Sequence, residues 1–224
     1  MKLIKTISLA AIVLLVSVKA FSAAPKDFNG VIIYNISYES EKMDEQMLAM
    51  MPKTMKVMIK GNKSRSELSL GMGTQVTIFD ADKKSGIGLF DMMGQKYAIP
   101  MTPEEIEKEM ESAPDIEVNK TGNTKEIAGY TCEEAKVDVD NGKHTFTVYY
   151  TDELGSGMLN ANNPYYNQIP GVMLEFAMEE NDMKMSFHAI SVEKKKVSDD
   201  VFEIPEGYKE MSQEQFNNMF GGGF

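Results

Sequence analysis

The sequence predicts a mainly β fold: a curved antiparallel sheet or incomplete barrel of about ten strands with a few helices. Short apolar segments alternate with polar residues at the two-residue period of a half-buried strand. Dipeptides such as Gly61-Asn62 and Asn141-Gly142 separate neighbouring segments and suit the positive φ angles of tight hairpins. Helical patterns are few and interrupt the series of strands, which is typical of a barrel-like or strongly curved sheet.

The first 22 residues have the features of a secretory signal peptide. Lys2 and Lys5 precede an apolar run from Ile7 to Val18, and small residues follow it. The run is shorter than the ~20 residues that a membrane-crossing helix needs, although an uncleaved N-terminal anchor is the alternative. We therefore expect an exported chain, periplasmic or extracellular, without a transmembrane segment in its mature part. Residues 23–224 are expected to form one β-rich domain with a short C-terminal helix and a flexible tail.

The first half of the domain is predicted to be a meander. Residues 31–38 alternate, which places Ile32, Tyr34 and Ile36 on one face of a strand. Methionines recur at helical spacing between Glu41 and Met51, and Pro52 ends that predicted helix. Five short strands are predicted next, at residues 54–60, 63–70, 75–80, 86–92 and 95–99.

A second helix is predicted from Thr102 to about Glu111. Thr102 is a good N-cap, Pro103 fits the first turn, and the glutamates that follow are favourable near a helix N-terminus. Pro114 lies just beyond the predicted end of this helix.

The second half contains one irregularity of pattern. Tyr130 and Cys132 share one strand parity, whereas Ala135 and Val137 share the opposite one, so we predict a bulge near Glu133-Glu134. Residues 152–170 are rich in Gly, Asn, Pro and Tyr, which predicts a long crossing or lid segment. The remaining strands are predicted at residues 144–151, 172–179 and 183–194, before a short helix that begins near Ser212.

Charge and cysteine content exclude several classes of function. The formal net charge is −11, and removing residues 1–22 takes away three lysines and no acidic residue. Such a chain is repelled by nucleic acid and by anionic lipid surfaces, so we expect no nucleic-acid partner. The single cysteine, Cys132, cannot form an internal disulfide. We expect it to be buried, with a reactive or intermolecular thiol as the alternative.

The sequence shows no catalytic or metal-binding pattern. His144 and His188 lack metal-ligand spacing, and His144 shares a strand face with Phe146, which predicts a core histidine. Asp80-Ala81-Asp82 begins like a calcium loop, but Lys84 and Ser85 stand where a further oxygen ligand and a glycine are needed. We therefore predict a protein that is not an enzyme and has no catalytic residues, metal or cofactor.

Several phrases resemble an uncharacterised family of exported bacterial domains of unknown function. Family members of this kind are similar to the LolA/LolB-like carriers of periplasmic lipoproteins. That resemblance implies an incomplete antiparallel barrel with helices over an apolar cavity, and by analogy a binding role. The phrases are Phe28-Asn29-Gly30-Val31-Ile32, residues 60–65 (KGNKSR), residues 124–132 (TKEIAGYTC), residues 146–154 (FTVYYTDEL) and residues 201–211 (VFEIPEGYKEM).

Methionine is unusually frequent, with 19 residues in the chain. Three interpretations compete: ordinary core packing, a flexible apolar cavity or contact surface, and copper(I) binding by thioethers. No cysteine or histidine joins the methionine clusters, which weakens the copper interpretation. Under the cavity interpretation, the candidate ligand-binding residues are Met43, Met47, Met50, Met51, Tyr165, Tyr166, Met173 and Met185.

Two functions follow from these expectations. The first is binding of a hydrophobic ligand, such as a lipid or acyl chain, in an apolar concavity. The second is a protein-interaction module of the cell envelope, in which the segment Leu154–Pro170 and the aromatic tail (Phe216, Phe220 and Phe224) contact a partner.

Overall fold

The computed structural model describes residues 28–71, 73–180 and 182–220. The predicted signal peptide and Phe224 lie outside the described residues. Within these ranges there are three α-helices: α1 (Glu45–Met50), α2 (Pro103–Glu111) and α3 (Gln213–Phe220). The strands are β1 (Asn29–Ser40), β2 (Thr54–Lys60), β3 (Lys63–Leu70), β4 (Gly73–Asp80), β5 (Ser85–Met92), β6 (Gln95–Met101), β7 (Ile116–Ile127), β8 (Tyr130–Val139), β9 (His144–Ser156), β10 (Gly171–Glu180), β11 (Met183–Lys194) and β12 (Lys209–Glu210).

All twelve strands belong to one open sheet. Their order is β12-β6-β5-β4-β3-β2-β1-β11-β10-β9-β8-β7. Neighbouring strands are antiparallel, except that β12 runs parallel to β6. The prediction of a mainly β, antiparallel fold is confirmed. The prediction of about ten strands did not include β7 and β12, which lie at the two ends of the sheet.

The strand β7 has no alternating pattern because it is an end strand. Nearly all of its side chains are exposed, so no face requires apolar residues. Its pairing with β8 shifts between Lys120 and Thr124, which makes a bulge. Lysines and bulges at an edge discourage pairing with another chain. The exposed polar side chains and the bulge that protect this edge therefore also leave β7 without the alternation that predicts a strand.

The predicted hairpins are present. Gly61 has φ 58° between β2 and β3, and Asn141 and Gly142 have φ 57° and 84° between β8 and β9. In this left-handed region glycine and asparagine are the residues with the least strain.

The parity change in β8 has a different cause from the predicted bulge. The pairing of β8 with β9 is continuous from Glu133 to Val139, so β8 itself has no register shift. Cys132 packs in one apolar cluster with Tyr34, whereas Ala135 and Val137 pack in another. The strand is thus buried by two clusters, and the bulge near Glu133-Glu134 lies in the partner strand β7, where Lys120 pairs with Ala135 and Thr124 with Glu133.

The two predicted helices in the first half differ in their packing. The helix α2 begins at Thr102 with a capping box and buries Ile106 against Phe79 and Ala81. The helix α1 is shorter than predicted and has no buried residue. Core packing is therefore wrong as an explanation of its methionines, because Met47 and Met50 are 49% and 75% exposed.

Residues 152–170 cross the core and do not form a lid. Strand β9 extends through the first five of them, and a 3₁₀-helix follows at Gly157–Asn160. The Asn160 amide donates to the carbonyls of Ile169 (3.0 Å) and Gly171 (2.9 Å). Three side chains of the segment are fully buried: Leu154, Tyr166 and Ile169.

The segment 195–208, which we call the C-terminal strap, crosses one face of the first half of the sheet. The Val197 amide donates to Asn29 Oδ1 (2.7 Å), and Arg65 Nη1 donates to the Val201 carbonyl (2.9 Å). Beneath the strap, Val197 and Phe202 pack on the apolar side chains Val31, Met58, Val76, Ile78, Leu89 and Ala98.

Three of the phrases that carry the family resemblance meet at this strap. Asn29 and Arg65 come from the first two phrases, and Val201 opens the last one. These three phrases therefore have a structural role: their residues attach the strap to β1 and β3. At the far end of the chain, α3 buries Phe216 against Tyr97, Ile99 and Met211. Phe216 is thus a core residue and does not form a docking tail.

The first prediction concerns Gly30 of β1, which pairs with Lys194 of β11. An added Cβ would lie 2.3 Å from the Glu193 carbonyl oxygen and 2.5 Å from Phe28 Cζ. We expect Gly30→Ala to lower the free energy of unfolding by about 2 kcal/mol or more, because a backbone carbonyl of β11 must move. Urea denaturation measures the change.

Gly71→Ala is the matched control, because its Cβ would meet no atom within 4 Å. We expect that control to change the free energy of unfolding by at most about 0.5 kcal/mol. Equal stability of the two variants would contradict the packing of Phe28 and β11 around Gly30.

Candidate functional site

One face of the five strands β3, β2, β1, β11 and β10 is apolar. Directly opposite residues of paired strands share a face, so the register identifies its members. Its centre is buried, whereas Tyr38, Met55, Leu68, Met178 and Met185 at its margins are partly exposed. We call this surface the apolar face, and its cross-strand rows are Leu68, Met55, Tyr34 and Ala189; Ile36, Phe187 and Phe176; and Tyr38, Met185 and Met178.

The helix α1 is attached at the Tyr38 end of the apolar face. The ammonium of Lys53 donates to the Leu48 carbonyl (2.9 Å) and lies 5.8 Å from the centre of the Tyr38 ring. This cation–π contact and hydrogen bond connect the helix to the sheet. This contact places the helix beside Tyr38, and its Met47 and Met50 side chains are exposed.

The eight candidate ligand-binding residues fall into two groups. Met185 lies on the apolar face, Met47 and Met50 lie on α1, and the half-buried Met43 and Met51 flank that helix. Tyr166 and Met173 are buried in a second cluster with Phe146 and Val148, and Tyr165 packs at the margin of that cluster. The structure thus does not bring all eight to one cavity.

A cleft separates part of β9 from part of β10. Their pairing begins at Gly171 with Ser156 and ends at Glu175 with Tyr149. Beyond this point in the described chain, residues 145–148 of β9 pair with β8, and residues 176–180 of β10 pair with β11. This gap opens into a groove of about 670 Å³ over β1, β11 and β10, bounded by residues 145–147 of β9, which we call the β9–β10 cleft.

Tyr166 keeps the two strands apart on one side of the cleft. Its ring makes edge contacts with Phe146 of β9 and Phe176 of β10, with centroid distances of 6.5 and 5.9 Å. Its hydroxyl donates to the Ala177 carbonyl, and Asn163 Oδ1 accepts its backbone amide (3.2 Å). Burial raises the pKa of the Tyr166 phenol, so the hydroxyl stays protonated and remains a donor.

The other side of the cleft is open and lined by small polar or uncharged side chains. Ser37, Ser186 and Ala177 are cross-strand partners in β1, β11 and β10, and they form its floor. Thr145 and Thr147 of β9 face them across the gap.

Charged residues form the rim of the cleft. Lys53, Lys184 and His188 line it, together with Glu175. The Glu175 carboxylate accepts hydrogen bonds from Lys125 Nζ at 2.7 and 2.8 Å and lies 2.6 Å from His188 Nδ1. Burial alone raises the pKa of Glu175, but these hydrogen bonds outweigh it and hold the pKa below its usual range. Glu175 is therefore an anion with its own partners. The lysines are engaged as well, because Lys184 pairs with Glu39 (3.6 Å) and the Lys53 ammonium lies over the Tyr38 ring.

Cys132 is buried, as expected, with 0% of its surface exposed. Burial and the nearby carboxylates of Glu126 and Glu153 raise the pKa of its thiol to about 11. A buried thiol with a raised pKa is a poor nucleophile at neutral pH.

His144 is not the core histidine that the alternation predicts. About half of its side chain is exposed, at the hairpin end of β9, and its ring stacks on Phe146. Its Nδ1 lies 3.3 Å from a carboxylate oxygen of Glu179, on the opposite side of the β9–β10 cleft. His144 shares a strand face with Phe146, as predicted, but its side chain lies beyond the buried part of β9.

The described residues contain no group of three or more His, Cys, Asp or Glu side chains that could hold a metal ion. In the Asp80–Ser85 turn, Asp80 Oδ1 accepts the Lys83 amide and Asp82 Oδ1 accepts the Asn62 side-chain amide. Both carboxylates thus accept hydrogen bonds that stabilise turns between strands. No helix within the described ranges is both long enough and apolar enough to cross a bilayer.

Comparison with known proteins gives one family. The profile of the family described as "Domain of unknown function (DUF4412)" matches residues 28–164, which is more than half of the chain. This match confirms the resemblance to an uncharacterised family. No curated protein is similar in sequence.

Several solved structures are similar at low identity, PNGF-II, LppX and LprF among them. PNGF-II has 15% identity and a TM-score of 0.52 over 86% of this chain, which spans 33% of the PNGF-II chain and shows the fold alone. The Mycobacterium tuberculosis lipoprotein LppX has 10% identity and a TM-score of 0.38, over 78% of this chain and 91% of its own. LprF from Mycobacterium bovis has 10% identity and a TM-score of 0.34, over 81% of this chain and 90% of its own.

The second prediction concerns the Cys132 thiol. At pH 8 we expect it to react with Ellman's reagent at least about a hundredfold more slowly in the folded protein than in urea, because burial removes both access and thiolate. Absorbance at the thionitrobenzoate band follows the reaction. Comparable rates in the two states would contradict the burial of Cys132 and would reopen a reactive-thiol function.

Proposed function

The chain belongs to the family described as domain of unknown function DUF4412, and we propose that it is an exported, non-enzymatic binding protein for a hydrophobic ligand such as a lipid or acyl chain. The observation that carries this proposal is the apolar face, whose marginal side chains stay partly exposed. The buried thiol of Cys132, with its raised pKa, supports a role without nucleophilic catalysis.

The composition of the apolar face suits a flexible ligand. Covering apolar surface is worth about 25 cal/mol per Å², and the three parallel rows offer contacts along several strands. Met55, Met178 and Met185 lie at its margins, where unbranched, polarisable side chains adapt to ligands of different shape. The buried ring of Phe187 stacks on the partly buried ring of Phe176 at 4.6 Å, which gives the surface a rigid base.

The helix α1 extends this surface beyond the sheet. It has no buried residue, and its Met47 and Met50 are exposed, so the core does not use these two side chains. Its attachment through Lys53, beside Tyr38, supports contact between the helix and a ligand on the Tyr38 row. We infer that Met47 and Met50 cover one end of a bound acyl chain.

A second function, a protein-interaction module of the cell envelope, is favoured by a separate observation. Two strand segments of the β9–β10 cleft face each other without pairing. The segment Leu154–Pro170 contributes Tyr166, which keeps those strands apart. The aromatic tail supports this function less, since Phe216 belongs to the core.

The third prediction tests the hydrophobic-ligand site with cis-parinaric acid, whose fluorescence rises in an apolar environment. We expect the double variant Met47→Glu/Met50→Glu to bind this fatty acid at least about tenfold more weakly, since about 1.4 kcal/mol of contact is lost. Both residues are exposed, so the free energy of unfolding should change by at most about 0.5 kcal/mol per substitution.

Met93→Glu is the matched control, because Met93 is 82% exposed in the turn between β5 and β6, away from the apolar face. Its fatty-acid affinity should equal that of the wild type. Met185→Glu, on the apolar face itself, should weaken binding as much as the double variant does. Wild-type protein without saturable binding, or equal affinity in all variants, would reject the proposal.

A further inference from the structure

We propose that Met47 and Met50 of α1 are sites of reversible oxidation to the sulfoxide, and that this modification releases the hydrophobic ligand. The oxidant is a peroxide, and the oxidised protein binds an acyl chain more weakly than the reduced protein does. The inference rests on the proposed function, since it adds regulation to the same site. Oxidation can act in this way only if the sulfur is accessible, the helix stays attached and the modified side chains contact the ligand.

Thioethers are the accessible sulfur of the described chain. The Cys132 thiol has no exposed surface, and its raised pKa leaves almost no thiolate to reduce a peroxide. A peroxide attacks sulfur that it can reach, so exposed methionines are expected to react before buried ones such as Met58 and Met173. Among the methionines that the structure describes, the exposed ones are Met47, Met50, Met93, Met158 and Met219.

Met47 and Met50 differ from the other exposed methionines because they lie together on one helical turn. Residues three apart share a helix face, so both thioethers are on the same side of α1. Met93 lies in the turn between β5 and β6, Met158 in the 3₁₀-helix and Met219 in α3. Within the described ranges, α1 is therefore the element that offers two exposed thioethers to one ligand.

The hydrogen bonds that attach α1 use no thioether. The Asp44 carboxylate accepts the Met47 backbone amide (2.8 Å) at the N-cap, and the Lys53 ammonium donates to the Leu48 carbonyl (2.9 Å). No residue of the helix is buried, so oxidation removes no core contact. We therefore expect α1 to stay beside Tyr38 after oxidation, with polar sulfoxides in place of apolar thioethers.

A sulfoxide at either position opposes binding of an acyl chain. Its oxygen is a hydrogen-bond acceptor that water satisfies while the side chain is exposed, and an acyl chain over it displaces that water without replacing the hydrogen bond. Under the proposed function, Met47 and Met50 cover one end of the acyl chain, so the oxidised helix meets this cost at both positions. The row of Tyr38, Met185 and Met178 is only partly exposed, so its thioethers are expected to react more slowly.

The modification is a two-electron oxidation of sulfur. The thioether sulfur attacks one oxygen of hydrogen peroxide, and an S–O bond forms as the O–O bond breaks. The second oxygen leaves as water after a proton transfer, so the thioether is oxidised to the sulfoxide and the peroxide is reduced. A methionine sulfoxide reductase reverses the reaction with a dithiol: the sulfoxide oxygen leaves as water, and the dithiol becomes a disulfide.

Limited oxidation of the protein with hydrogen peroxide tests the inference. Peptide mapping by mass spectrometry gives the extent of oxidation at each methionine. Catalase then removes the peroxide before cis-parinaric acid is added, because this polyene is itself oxidisable. When Met47 and Met50 are oxidised and Met58 and Met173 are not, we expect the affinity to fall at least about tenfold, with an unchanged midpoint of urea denaturation. Methionine sulfoxide reductases A and B with dithiothreitol should restore the affinity.

Met47→Leu/Met50→Leu removes the two sulfur atoms and keeps apolar side chains. Its affinity after peroxide treatment should stay within about twofold of its own affinity before treatment, although Met93 and the other exposed methionines are still oxidised. Met93→Leu is the matched control and should lose as much affinity as the wild type does. Palmitic acid, a saturated fatty acid, should slow the oxidation of Met47 and Met50 in the wild type at least about threefold and leave that of Met93 unchanged.

Equal affinity before and after oxidation of Met47 and Met50 would overturn the inference and leave the proposed function standing. An equal loss of affinity in Met47→Leu/Met50→Leu and in the wild type would also overturn it, because other methionines would then cause the loss. Untreated wild-type protein without saturable binding of cis-parinaric acid would reject the proposed function and the inference together.

Discussion

An open antiparallel sheet leaves backbone donors and acceptors unpaired at its edges, and this structure depends on how each edge is treated. At one end, β7 is bulged, lysine-bearing and exposed. At the other end, β12 pairs with β6 at Lys209 and Glu210 alone. Within the sheet, β9 and β10 stop pairing at Tyr149 and Glu175, although both strands continue. The gap between β9 and β10 differs from the two outer edges, because the buried ring of Tyr166 holds its two strands apart.

The faces of the sheet are covered unequally. The C-terminal strap buries one face of the first half, and α2 and α3 bury Phe79 and Tyr97 with their neighbours near β6. The apolar face of the central strands has only partial cover at its margins among the described residues. The chain thus uses residues 195–220 and α2 to complete a core in one half and leaves accessible apolar surface in the other. A domain without a disulfide obtains its stability from such packing.

The sequence predicted local structure well and long-range arrangement less well. Hairpins at Gly61 and Asn141 followed from backbone chemistry, and α2 followed from its capping residues. Strand β7 was missed because an exposed strand has no apolar period. Tyr165, Tyr166 and Met173 were predicted as ligand-binding residues, but the cleft beside them was not predicted. Residues 144–151 alternate as an unbroken strand, which gives no sign of a gap. No local pattern records that Tyr166, from a distant turn, separates that strand from β10.

The two proposed sites meet at one side chain. Phe176 stacks on Phe187 within the apolar face (4.6 Å, 7°) and makes an edge contact with Tyr166 in the β9–β10 cleft (5.9 Å). It also contacts Tyr34, whose hydroxyl donates to the Met173 carbonyl of the same strand. A ligand that moved the Phe176 ring on the apolar face would therefore disturb the ring that holds the cleft open. Direct packing of this kind is the physical route by which occupancy of one site can change affinity at the other.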